Sequence, residues 1–215
     1  MHIMLTNKIT PSSFKVQTML QALCLGVVLL QSPLALAEFK GSNPMKESRE
    51  AASAMLKELG GKLQTAMKDG GPVNALGVCQ VEAPAIAQRI SDEEKITIRR
   101  ISHKPRNASM GTPIDWQIKA LKHLEESLAR GEPPAEIEFV EAVKAGAGSR
   151  MELRYARPIV MQAQCTACHG DPEQISPEIK TKLDELYPHD KAVGFKPGEL
   201  RGAVVVSRFI GFSNN

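Results

Sequence analysis

The chain has 215 residues, a formal net charge of +3 and only 4% aromatic side chains, with no repeat or low-complexity run. A charge this small, with no basic patch or stripe, excludes a nucleic-acid-binding surface. Part of it belongs to the first segment: Met1 to Thr18 carries Lys8 and Lys15 and no acid.

An apolar run of about a dozen residues follows, Met19 to Leu30, too short to span a bilayer, which takes about 20. Pro33 and the small-x-small site Ala35-Leu36-Ala37 come next. This order predicts a secretory signal peptide over residues 1–37, cleaved after Ala37, and hence a periplasmic protein beginning at Glu38. The alternative is an uncleaved membrane anchor. Leu23 stands where a lipoprotein site needs a small residue before Cys24, so no lipid anchor is expected. Removing 37 residues from 215 leaves 178, with two lysines gone and a net charge near +1. That length suits one domain with a real core, over residues 38–215, soluble once the leader is removed.

Asn43-Pro44 predicts the cap and first turn of an amphipathic helix with Ala52, Met55, Leu56, Leu59, Leu63 and Met67 on one face. Gly70-Gly71-Pro72 stops it. A second helical stretch, Val73 to Ile90, contains Cys79 and should bend at Pro84. Glu94 to Ser102 reads as a strand through Ile96 and Ile98, and His103 to Gly111 as a loop. Thr112-Pro113 caps a helix that presents Trp116, Ala120, Leu124 and Leu128 and ends at Gly131. Ile137 to Val143 and Met151 to Ala156 alternate as two antiparallel strands joined by a turn over Lys144 to Gly148. Ser176-Pro177 starts a short helix through Ile179, Leu183 and Leu186. Pro197-Gly198 is a turn, and Gly202 to Ile210 a last strand. Helices first and antiparallel strands later predict an α+β domain, with helices packed on one sheet.

The chemistry-bearing motif is Cys165-Thr166-Ala167-Cys168-His169, the C-x-x-C-H attachment sequence of c-type haem. Two thiols three positions apart reach the two vinyl groups on one porphyrin edge. The adjacent imidazole is then carried under the ring to the iron. Structural zinc needs four ligands, usually two such pairs, and only one pair is present. A redox C-x-x-C follows a strand of a βαβ unit, and Arg157 to Gln164 predicts no strand. Haem consumption of Cys165 and Cys168 also resolves the odd count of three cysteines, Cys79 included, beyond the leader. The expected cofactor is one covalent haem c with its iron on His169. Candidates for the other axial position are Cys79, His103, His123, His189, Met110, Met151 and Met161. Spacing alone does not choose among them, since histidines and methionines of this kind are more often ordinary edge or core residues.

At these residues the chain resembles bacterial extracytoplasmic haem-c proteins with a PAS-like fold. That family has long been catalogued as a domain of unknown function, and it also occurs as the sensory part of some histidine kinases. The resemblance runs from about Pro44 to Phe209. It is carried by Ala75 to Cys79 with Ala83 to Ala87, by Arg99 through Arg106-Asn107 to Trp116, and by Arg154 to Ile159 with the haem motif and Gly170. The last stretches are Tyr187 to Phe195 and Gly198 to Ala203. Ala108 departs from the proline the family usually has after Arg-Asn, which touches only the loop's shape. The resemblance implies a PAS-like antiparallel sheet with packed helices, and axial ligation by His169 and Cys79. Arg100, Arg106, Arg154 and Arg157 are candidate partners for the haem propionates, since arginine forks match carboxylates.

Thiolate ligation stabilises ferric iron, giving a low potential and a ligand that leaves on reduction. That is the two-state element a redox or diatomic-gas sensor needs, with a signalling protein as partner. The alternative is a small periplasmic electron carrier with a redox partner. A homodimer is an expected assembly for either. No His/acid pair beside the haem predicts an enzyme.

Overall fold

The computed structural model describes residues 43–146 and 150–210. The predicted leader, its cleavage after Ala37, Cys24 and the turn residues Ala147 and Gly148 lie outside them. Helix α1, Pro44–Gly77, starts as its sequence dictates: Asn43 Oδ1 accepts from Lys46 N at 3.0 Å, Pro44 opens the first turn and Glu47 sits at the positive end. Ala52, Met55 and Leu59 of the predicted stripe are buried, and Leu56, Leu63 and Met67 pack beside them.

As predicted, Gly70-Gly71-Pro72 ends the first helical segment, and α1 is two helical segments joined at a kink there. Gly70 and Gly71 leave helical geometry, and Gly71 takes φ 68° and ψ −166°, a conformation a side chain resists. Pro72 restarts the helix, which runs on through a π turn at Val78–Glu82 into α2, Ala83–Glu94. The irregularity sits just ahead of Pro84, whose ring lacks an N–H and crowds the carbonyl four residues back. The backbone widens instead, with Ala83 N donating to Val78 O. Cys79 lies in this widened turn.

Strand β1, Thr97–Ile101, follows, then a loop that contains one helical turn, α3, Ala108–Gly111, where only loop was predicted. Thr112 therefore caps no helix start; its hydroxyl donates to Ala108 O and closes α3, while α4, Asp115–Ala129, begins two residues later than expected with Ile114 as its cap. Strands β2, Phe139–Lys144, and β3, Met151–Val160, form the predicted hairpin. Two short turns, Ala163–Cys165 and α5, Thr166–His169, carry the motif. Helix α6, Pro177–Leu186, is capped by Ser176, and β4, Leu200–Ile210, completes one antiparallel sheet of order β1-β4-β3-β2.

The architecture is α+β, with helices on both faces of the sheet. Ile98, Tyr155, Val204 and Val206 face Met55, Leu59, Ile86 and Ile90 of α1 and α2. Ile101, Ala156, Ala203 and Val205 face Ala120, Leu121 and Leu124 of α4. Inner strand β4 thus reads as a continuous apolar run, Ala203 to Val206, because both of its faces are covered. Each fully buried leucine here contributes about 1.5–3 kcal/mol over its exposed state. Among the described residues no helix is long and apolar enough to cross a membrane.

Candidate haem-attachment site

The motif is presented by two consecutive short helical turns. Cys165 N donates to Gln162 O at 3.0 Å, the Thr166 hydroxyl to Ala163 O at 2.7 Å, and Gly170 N to Thr166 O at 2.9 Å. A Cβ on Gly170 would lie 2.6 Å from that Thr166 carbonyl, so the turn closes only on glycine. The strand β3 that leads in extends through Arg157 and Pro158 to Val160, where the sequence predicted none. Proline is tolerated there because β2 pairs only with Met151 to Ala156, which leaves the outer side of β3 free beyond that point. The sheet is antiparallel throughout, so this strand belongs to no βαβ unit.

Backbone from the segment after α6 is sewn to the motif. Phe195 N donates to His169 O at 3.0 Å and Gly194 N to Gly170 O at 2.7 Å. The His169 Nδ1 lies 2.7 Å from Ala192 O. A carbonyl only accepts, so Nδ1 carries the proton and Nε2 keeps its lone pair. Burial, then the cations Arg201, Arg106 and Arg100, hold the imidazole's pKa well below its usual value against the pull of Ala192 O. At neutral pH the ring is neutral, the form that ligates metals. Phe195 meets it edge-on at 6.5 Å between centroids.

Leu76, Ile175, Ile179, Leu183 and Tyr187 form an apolar cluster against which Cys168 packs; Met161, Ala192 and Phe195 do the same for Cys165. Burial raises the Cys168 thiol pKa, and the three cysteines of the described residues are all free. The charged neighbours of the histidine are arginines. The Arg106 Nε donates to Asp190 at 2.9 Å, and its Nη2 to Cys168 O and Ala192 O, tying the loop before α3 to both sides of the site. Arg100 finds no hydrogen-bond acceptor among the described residues, and burial lowers its pKa. Arg201 is pushed down to about 10 by burial and by Arg106 and Arg100.

Cys79 is brought to this place. It lies within electrostatic reach of Arg100, Arg201, Tyr187 and Cys168. Leu76, one turn earlier, belongs to the same apolar cluster as Cys168. Of the other axial candidates, His103, His189 and Met110 are exposed, and His123 packs edge-on against Phe139 at 5.9 Å, a core-edge histidine. Met151 opens β3 opposite Ile210, at the far end of the sheet, and Met161 packs beside Cys165.

Two arginines are not brought to the site. Arg154 pairs with Glu141 and Glu152 and lies over Trp116, on the α4 face. Arg157 faces α1, where its Nη1 donates to Ser53 at 2.7 Å. Sequence reasoning missed Arg201 as a site residue. It also missed the Ala192 carbonyl.

A neutral imidazole with two thiols, apolar side chains and a group of arginines beside it fits an apolar disc with two carboxylates on its rim. Buried donors without partners, Arg106 Nη1 and Arg201 Nε, point the same way, since an orphaned buried donor is costly. Among the described residues no group of three His, Cys, Asp or Glu side chains converges as a bare metal ion would require.

Comparison with known proteins agrees with this geometry. The chain aligns in structure with the cyanobacterial haem-protein Tll0287, at a TM-score of 0.56 and 22% identity, over 80% of this chain and 100% of that one. At that identity the likeness establishes the fold. No curated protein matches the chain. The family described as Tll0287-like, Tll0287, matches residues 28–208, and the chain belongs to that family.

Proposed function

We propose that this chain is a periplasmic protein, released from a signal peptide, that holds one haem c through thioether bonds to Cys165 and Cys168. His169 and Cys79 are its axial ligands, and it senses redox state or a diatomic ligand. The observation that carries the reading is the His169 imidazole, neutral, half-buried and tied through Nδ1 to Ala192 O, directly after the second of two free thiols. The family relationship supports haem as the group, since the structural relative is a haem-protein.

Bound there, haem supplies a one-electron couple that thiolate ligation holds at low potential. Ala192 O fixes the tautomer of His169 and raises its strength as a donor. Arg106 and Asp190 fasten the motif to the segment that carries Ala192. Cys79 lies within the π turn that follows the Gly70-Gly71 break, so its segment can shift without unwinding the long part of α1 or α2. That mobility favours the sensor over a carrier whose ligands stay fixed. A signalling or redox partner receives the output, and the chain is not itself an enzyme.

Haem should survive acid–acetone extraction of the purified protein, and Cys165→Ala with Cys168→Ala should abolish it. Free extraction from the wild type would overturn the proposal. Cys79→Ala should keep the haem, convert the ferric spectrum from low to high spin and raise the potential. A Cys79→Ala spectrum identical to wild type excludes the thiolate. Reduced wild type should bind carbon monoxide readily; resistance to it favours the electron carrier.

A further inference from the structure

We propose that Arg201 and Arg100 receive the two haem carboxylates, one each, the place the sequence had offered also to Arg154 and Arg157. This rests on haem being the group held between Cys165, Cys168 and His169. Three guanidinium groups act on His169, those of Arg201, Arg106 and Arg100. One carboxylate, Asp190, lies among them, and Arg106 takes it at 2.9 Å. Among the described residues Arg201 and Arg100 therefore have no carboxylate partner, and a haem brings two carboxylates.

The donors are placed for this. Arg201 is anchored but not satisfied: its Nη1 donates to Ser102 Oγ at 3.0 Å and Lys104 O at 3.3 Å, while its Nε is buried with no partner. Its guanidinium lies 5.2 Å over the Phe195 ring, whose edge meets His169. One aromatic ring thus separates the cation from the ligand imidazole. Arg100, opposite Val204 on the neighbouring strand, lies within electrostatic reach of both Arg201 and His169. Burying two like charges side by side is costly in the protein alone. A pair of anions reverses that cost, and arginine's planar fork presents paired donors to each carboxylate.

The test uses the purified haem-bearing protein and reads the propionate-bending bands of its resonance Raman spectrum together with the reduction potential. Arg201→Gln should shift one band and lower the potential, because a lost cation disfavours the more negative reduced centre. Arg201→Lys keeps the charge and covers the case in which glutamine prevents folding. It should restore most of the potential but leave the band shifted, since an ammonium cannot present the fork. Arg154→Gln, at a side chain held by Glu141 and Glu152 over Trp116, should leave both unchanged. Haem-bearing Arg201→Gln or Arg201→Lys protein with wild-type bands overturns this inference alone. A wild type without attached haem overturns the functional reading instead.

Discussion

Replacing Arg106 by methionine, which keeps the length and removes the charge, isolates the staple that joins three parts of the site. The Arg106 side chain is 7% exposed and its partner Asp190 12%. The substitution strips the Cys168 and Ala192 carbonyls of a donor and leaves Asp190 with Ala192 N as its remaining bond, at 2.7 Å. Removing one partner of a buried pair costs about 3–5 kcal/mol. Water reaches Asp190 at the rim, which places the expected loss near the lower end, about 3 kcal/mol. With a urea slope of about 2 kcal/mol/M, the midpoint should fall by about 1.5 M. Urea unfolding followed by far-UV circular dichroism measures this. Adding Asp190→Asn removes the stranded charge, so the double variant should lose less than the two single losses combined, with a coupling of about 1–3 kcal/mol. A midpoint within about 0.3 M of wild type, or strictly additive losses, would refute the account of Arg106 as a buried staple.

Gly202→Ala tests the approach of β4 to the end of β1. The added Cβ would lie 2.2 Å from Ile101 O, so the strands must part, at about 1–3 kcal/mol as for other overpacked sites, visible as a lower melting temperature. Acid stability should report Glu138, whose carboxyl is held below its usual range first by the Arg49 guanidinium and also by the Tyr155 hydroxyl, against partial burial. A depressed folded-state pKa stabilises the fold above the unfolded value and is lost as pH falls through the folded one. The urea midpoint of wild type should therefore drop on acidification from about pH 5, and Glu138→Gln should flatten that drop; equal slopes would exclude the pair as its source.

The attachment motif was legible because it is local: five consecutive residues contain the thiols, the imidazole and the turn. Cys79 was not, since nothing in its own helix distinguishes an axial ligand from a buried thiol. Its selection came from the resemblance, and its placement beside Arg100 and Tyr187 comes from tertiary packing. The arginines divide for a geometric reason. Arg154 and Arg157 are three apart on one strand, so they must point to opposite faces, and only the pairing of β2 with β3 supplies Glu141 opposite Arg154. Arg201 was missed because its position depends on the register of β4 against β1. The strand through Pro158 was missed because proline normally demotes a strand, and its tolerance here depends on how far β2 extends. The break at Gly70-Gly71 was legible, because a glycine pair followed by proline interrupts helical geometry whatever packs around it.

The strand order β1-β4-β3-β2 has a consequence for how the molecule is made. Strand β4 follows every other described element in sequence yet occupies an inner position, paired with Thr97–Ile101 on one side and with Met151–Val160 on the other. Until residues 200–210 have emerged, β1 has no partner, β2 and β3 are a lone hairpin, and the α1 and α4 layers have no common surface to close upon. A two-stranded hairpin is marginal in water, and closing a loop of this span is slow. As the chain is delivered from its N-terminus, Cys165 and Cys168 thus appear well before the strand that locks the sheet. During that interval the thiols are reachable from all sides. Truncation ahead of Leu200 should prolong it indefinitely, leaving helical segments and a hairpin without a cooperative unfolding transition.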